Sequence, residues 1–125
     1  MRALGTLTKE GENVAIFSTD DVALVFEKVT KEGLTTVEKP ETGPAPPMGL
    51  TIEQYYNIQT EANYQGKIQI RIIRASSMPQ VDPKRIRLWQ WNTETKWKEI
   101  RISFNPEYNL IVGETSHLSM FGVTR

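Results

Sequence analysis

Lys67-Ile68-Gln69-Ile70-Arg71-Ile72 alternates apolar and polar side chains without a break, and Glu99-Ile100-Arg101-Ile102-Ser103-Phe104 does the same. A period of two belongs to the β-strand, where successive side chains leave opposite faces. Three isoleucines on one face and Lys67, Gln69 and Arg71 on the other describe an antiparallel strand with one buried and one wet side. Working outward, Val14–Phe17, Val22–Val29, Thr35–Lys39, Tyr55–Thr60, Arg85–Trp91, Leu110–Val112 and Met120–Thr124 are rich in the β-branched and aromatic residues that strands favour. Turn-forming clusters separate them: Gly11-Glu12-Asn13, Lys31-Glu32-Gly33, Asn63-Tyr64-Gln65-Gly66, Pro79-Gln80-Val81-Asp82-Pro83, Asn92-Thr93-Glu94-Thr95 and Asn105-Pro106-Glu107. Many short strands with no helical segment between them predict an all-β antiparallel sandwich of eight or nine strands, with Greek-key-like connections.

The expected core is Ile68, Ile70, Ile72, Leu88, Ile100, Ile102, Phe104, Leu110, Val112, Phe121 and Val123, with Val22, Leu24 and Phe26 from the N-terminal half. At 125 residues the chain suits one domain, residues 1–125, large enough to fold without covalent staples. Pro40 to Gly49 holds four of the seven prolines and cannot join a ladder, so it is expected as an extended surface loop. Thr51-Ile52-Glu53-Gln54 has the spacing of a helix capping box and competes with the strand-like run that follows.

Composition narrows the function classes. Fifteen basic residues balance fifteen acidic ones, and the signs are interspersed, which gives no long-range field for nucleic acid or an anionic membrane. Arg71, Arg74, Lys84, Arg85, Arg87, Lys96, Lys98 and Arg101 lie close in sequence and are read as a solvated sheet face. With no cysteine there is no thiolate and no disulfide, and one histidine cannot build a multi-histidine metal site. Glu53, Glu61 and Asp82 lack the spacing of paired catalytic carboxylates, and no glycine-rich phosphate loop is present. No cofactor is expected. No apolar stretch approaches the ~20 residues of a membrane helix, so membrane insertion is not expected.

Two constellations remain. Trp89 and Trp91 share one strand face and Trp97 follows a short turn, a spacing that suits either core anchors or a flat platform for sugar rings; Tyr55, Tyr56 and Tyr64 suit both. His117 and Ser119, two apart, project to the same side of an extended segment. A histidine beside a hydroxyl can act as general base for a nucleophile. The nearest electrophile for Ser119 is the carbonyl of Leu118; attack there would shift the acyl group from nitrogen to oxygen, and hydrolysis of the resulting ester by water would cut the chain between Leu118 and Ser119, provided the backbone is strained at that bond. The bland alternative gives His117 a hydrogen bond at a sheet edge and Ser119 a place in the last strand.

From Leu88 to Val123, an aromatic strand, a turn with Trp97, two further strands and then His117-Leu118-Ser119-Met120-Phe121-Gly122-Val123 form a pattern. It resembles the ends of two β-sandwich families. One is the domain shared by ankyrins, netrin receptors and zonula occludens proteins. The other is the autoproteolysis-inducing GAIN domain of adhesion receptors. The resemblance implies a sandwich whose members include both cleaving and non-cleaving forms, with His117 as base and Ser119 as nucleophile where cleavage occurs. The adhesion-receptor version is braced by disulfides that this chain cannot form. The expectation is therefore a non-catalytic structural or protein-interaction module of a larger prokaryotic surface-associated protein, extracellular or in the cell envelope if the chain is a fragment. Its partners would be other proteins or domains of the same chain. A self-cleaving module and a carbohydrate-binding module are the alternatives.

Overall fold

The computed structural model describes residues 5–19, 21–47, 49–74 and 82–125. Among them are eleven strands: β1 (Thr6–Thr8), β2 (Gly11–Phe17), β3 (Val22–Lys31), β4 (Gly33–Glu38), β5 (Ile52–Thr60), β6 (Asn63–Ile73), β7 (Arg87–Asn92), β8 (Lys96–Ile100), β9 (Ile102–Asn105), β10 (Leu110–Thr115) and β11 (Met120–Thr124). A single 3-10 turn, Pro83–Arg85, opens on Asp82, whose side chain accepts from the Lys84 N–H. The rest of the turn expected at Pro79–Pro83 lies outside the described residues. One sheet has the order β1-β4-β5-β11-β7-β8 and the other β2-β3-β6-β10-β9, all antiparallel. The fold is the antiparallel sandwich that the alternation predicts, with more strands than the eight or nine expected.

The extra strands arise from bending. β1–β2, β3–β4 and β5–β6 are three long extended stretches that each fold over from one sheet to the other, at Lys9-Glu10, Glu32 and Glu61-Ala62. The bends nest so closely that a Cβ on Gly33 would sit 2.4 Å from the Ala62 nitrogen, so only glycine fits there. A chain of hydroxyls seals this corner: Thr8 Oγ1 lies 2.6 Å from Thr35 Oγ1, which lies 2.8 Å from Thr60 Oγ1, which accepts from the Ala62 N–H at 3.1 Å. Ile100–Phe104, read as one strand, makes the same kind of corner on the opposite flank. It breaks at Arg101 into β8 and β9, which belong to different sheets.

The core lies between the sheets. Val37, Tyr56, Ile58, Leu88, Phe121 and Val123 face it from one side, and Ile16, Val22, Leu24, Phe26, Ile68, Ile70, Ile72 and Ile111 from the other. Each fully buried aliphatic side chain contributes roughly 1.5–3 kcal/mol before chain entropy is subtracted. Ile100, Ile102 and Phe104 pack against this core while half-buried. Leu110 and Val112 do not point inward as expected. The register pairs Ile111 with Ile72, Gly113 with Ile70 and Thr115 with Ile68, so β10 presents its alternate residues to the core.

Two further local expectations are corrected. Thr51–Gln54 opens strand β5, and its ladder with β4 and β11 supersedes the capping box. Asn63–Gly66 is not a turn but the start of β6. Gly66, with φ of 82°, forms with Lys67 a bulge opposite Glu27, whose carboxylate accepts from the Lys67 N–H at 2.8 Å. The proline-rich segment does lie on the surface, strapped across the outer face of β5, β11 and β8: Tyr55 donates its hydroxyl to the Pro44 carbonyl at 2.9 Å, and Trp97 its indole N–H to that of Ala45 at 2.5 Å.

Candidate functional site

His117, Leu118 and Ser119 lie in the crossover from β10 to β11, where the chain passes from one sheet to the other. Leu118 packs against the core and anchors the crossover. Beneath it stands Gln90, a buried polar residue on the inward face of β7. Its amide nitrogen donates to the His117 carbonyl at 2.9 Å and to Ser119 Oγ at 3.2 Å, and its carbonyl oxygen accepts from Thr115 Oγ1 at 3.0 Å. Both donors of the amide are therefore engaged, as a buried side-chain amide requires.

The Ser119 hydroxyl has one proton, and it points at the Trp91 carbonyl 3.0 Å away. The Ser119 carbonyl accepts from the Ile58 N–H at 3.0 Å, which joins the crossover to β5. The His117 ring is exposed, and its Nδ1 lies 3.4 Å from Ser116 Oγ. No hydrogen bond joins the His117 imidazole to the Ser119 hydroxyl. Positive φ is confined to Asn13, Lys96 and Asn109 among the described non-glycine residues, so none of the motif residues has it.

The three tryptophans are half-buried on the outer face and do not form one plane, and of them Trp97 bonds to the proline-rich strap. Trp89 donates its N–H to Thr124 Oγ1 at 2.9 Å. Trp91 and Trp97 meet edge to face, with centroids 5.2 Å apart at 64°, and Lys96 Nζ sits 5.6 Å from the Trp91 ring. Tyr55 leans on Trp97 at 6.3 Å. Tyr56 turns inward and Tyr64 packs edge-on against Phe26 at 5.6 Å, so these two belong to the core.

The basic residues disperse. Arg71 is on the outer face of β6, Lys84 and Arg85 are in the 3-10 turn, and Arg87 pairs with Glu99 at 2.8 Å. Arg74 is buried against Glu53 through two bonds, Nε to Oε1 at 2.7 Å and Nη2 to Oε2 at 2.5 Å. Arg125 adds a second cation 3.4 Å from Glu53 Oε2. The bulge of β5 against Val123 and Thr124 turns Glu53 toward Arg74. This pair lines a cavity of about 100 Å³ with Tyr56, Asp21 and Lys39. Burial holds the Tyr56 phenol protonated far above its ordinary range, and the Asp21 and Glu53 charges add to that. Burial alone would raise the Asp21 carboxyl, but the Thr19 hydrogen bond and the Lys39 ammonium outweigh it and leave its pKa below the usual value. Among the described residues no group of three His, Asp or Glu side chains converges as a metal site.

Sequence spacing missed Gln90 and the Glu53–Arg74 pair. The first had a signal, because a strand with Trp89 and Trp91 on one face must send Gln90 inward beside Leu88. The second, 21 residues apart, had none. Compared with known proteins, the chain matches no family model, no curated protein and no solved structure.

Proposed function

We propose that this chain is a non-catalytic structural or protein-interaction module, carried by a larger prokaryotic surface-associated protein. The observation that supports this reading most is the commitment of the Ser119 hydroxyl to the Trp91 carbonyl and the Gln90 amide. The one nucleophile suggested by the sequence thereby becomes a brace for the β10–β11 crossover. Outward-looking chemistry remains at the sheet margins, where β2, β8 and β9 offer backbone groups that strands of other proteins or domains can pair with. Hydrogen exchange on the chain alone and within the complete protein its gene encodes tests this. Slower exchange along Gly11–Phe17 or Lys96–Ile100 in the complete protein is the expected result; identical exchange at every amide counts against the module.

A second reading has its own support. The motif immediately precedes β11, which is clamped between β5 and β7, so a cut between Leu118 and Ser119 would leave Ser119–Arg125 held by two ladders. In that reading His117 swings from Ser116 to take the Ser119 proton and passes it to the Ser119 nitrogen as the Leu118 acyl group moves to Ser119 Oγ, and water then hydrolyses the ester in a single turnover on the chain itself.

A further inference from the structure

The flank of the sandwich between β8 and β10 is open. β9 pairs with β10 only from Leu110 to Gly113, so Glu114 and Thr115 have no strand on that side among the described residues. Across the gap, β8 pairs with β7 along Lys96–Ile100, and no described strand pairs with its other edge. Between these two margins lies a groove of about 870 Å³, walled by Lys98–Ser103 on one side and Val112–His117 on the other, with Gln90 among its lining residues. That is within the roughly 300–1,000 Å³ of ligand sites. The five residues of β8 offer an edge of about 17 Å at ~3.3 Å per residue.

The groove carries an excess of positive charge. Of its acids, Glu99 is tied to Arg87 at 2.8 Å and Glu114 to Lys67 at 3.8 Å. Lys98 and Arg101 have no acidic partner among the described residues. Lys98 stands in register with Gln90, on the inward-facing side of its strand. An inward charge on an edge strand normally repels an added apolar strand. The same charge selects a strand that brings a carboxylate, because that strand alone neutralises it. Ile100 and Ile102 supply apolar wall for the residues between the carboxylates.

We infer that this groove binds an extended acidic peptide segment by strand addition to β8, with carboxylates on Lys98 and Arg101 and apolar side chains toward Ile100 and Ile102. This rests on the interaction-module reading and names its partner chemistry. Main-chain bonds to the edge would give affinity and the alternate side chains specificity.

The test uses fluorescence anisotropy with the 125-residue protein and a labelled nine-residue peptide, Glu-Thr-Val-Thr-Glu-Thr-Val-Thr-Glu, whose one face carries glutamate and valine in turn, because Lys98 and Ile100 stand two apart on one face of β8. Saturable binding that weakens as salt rises is expected. The same peptide with lysine for each glutamate, and the glutamate peptide with prolines at one valine and the threonine after it, should each bind at least tenfold more weakly. Proline cannot donate to a ladder. The double variant Lys98→Glu with Arg101→Glu should lose at least tenfold in affinity while keeping its thermal midpoint, and Lys31→Glu, on the far side, should bind as wild type. No saturable binding of the glutamate peptide overturns the proposal. So does equal binding of the proline peptide, or indifference to the double reversal. Failure here leaves the module reading standing; that reading fails instead on release of the segment after Leu118, which peptide binding does not report.

Discussion

Glu53→Gln offers a sharp test of the packing, because it removes a charge while keeping the shape. The Glu53 and Arg74 side chains are only 3% and 5% exposed. Glutamine keeps one acceptor for the guanidinium, but the cation then sits in the interior with no counter-charge, since the carboxylate it loses is also the one nearest Arg125. Removing one partner of a buried ion pair costs about 3–5 kcal/mol. The retained acceptor argues for the lower end, about 3 kcal/mol, against a total domain stability of about 5–15 kcal/mol. For a chain of this size that corresponds to a fall in Tm of roughly 12 °C, at about 4 °C per kcal/mol. Replacing both partners, Glu53→Leu with Arg74→Met, should recover most of the loss, because neither charge is then stranded. Urea denaturation followed by tryptophan fluorescence measures both. A loss under 1 kcal/mol for Glu53→Gln, or a double variant weaker than the single, would refute the claim that this pair is shielded from water.

Three other perturbations follow from the same contacts. Gln90→Leu should destabilise the domain by about 1–3 kcal/mol in urea denaturation, because it removes the three hydrogen bonds from β7 to Thr115, His117 and Ser119 and leaves the His117 carbonyl only the Thr115 hydroxyl, 2.9 Å away; its amide exchange at Ser116–Met120 should rise even under native conditions. Gly33→Ala drives a Cβ into the Ala62 backbone and should cost about 1–3 kcal/mol by forcing the nested bends apart, read as a lowered urea midpoint. The lowered Asp21 pKa adds stability that is complete above its unfolded value, near ~3.9, and disappears as pH falls through the folded one. The urea midpoint should therefore drop on acidification through and below pH ~4, and Asp21→Asn should flatten that part of the curve.

What the sequence discloses and what it conceals divide along one physical line. Local alternation fixes which face of a strand is wet, and the isoleucines of β6 and the Val22, Leu24, Phe26 series of β3 are buried as the pattern demands. Alternation does not tell where a strand turns a corner. Ile100 to Phe104 keeps its period through Arg101 while changing sheet, and Lys31-Glu32-Gly33 looks like a hairpin turn but is the bend that carries the chain from β3 in one sheet to β4 in the other. It also fails where the inward residue is small or polar. On β10 the inward positions beyond Ile111 are Gly113 and Thr115, so Leu110 and Val112 look like the core face although they lie outside it. The motif His117-Leu118-Ser119 is plain in the sequence, but its hydrogen bonds depend on Gln90 and Trp91, 27 and 28 residues away from their partners. Only the register of β7 against β11 brings those together.

The absence of self-cleavage is the claim on which the module reading turns, and intact mass spectrometry of the folded chain, incubated for days at neutral pH and denatured only at measurement, addresses it most directly. A single species at 14.3 kDa throughout is the expected spectrum. A peptide corresponding to Ser119–Arg125, absent in the Ser119→Ala variant, would contradict it and make the crossover a reactive site.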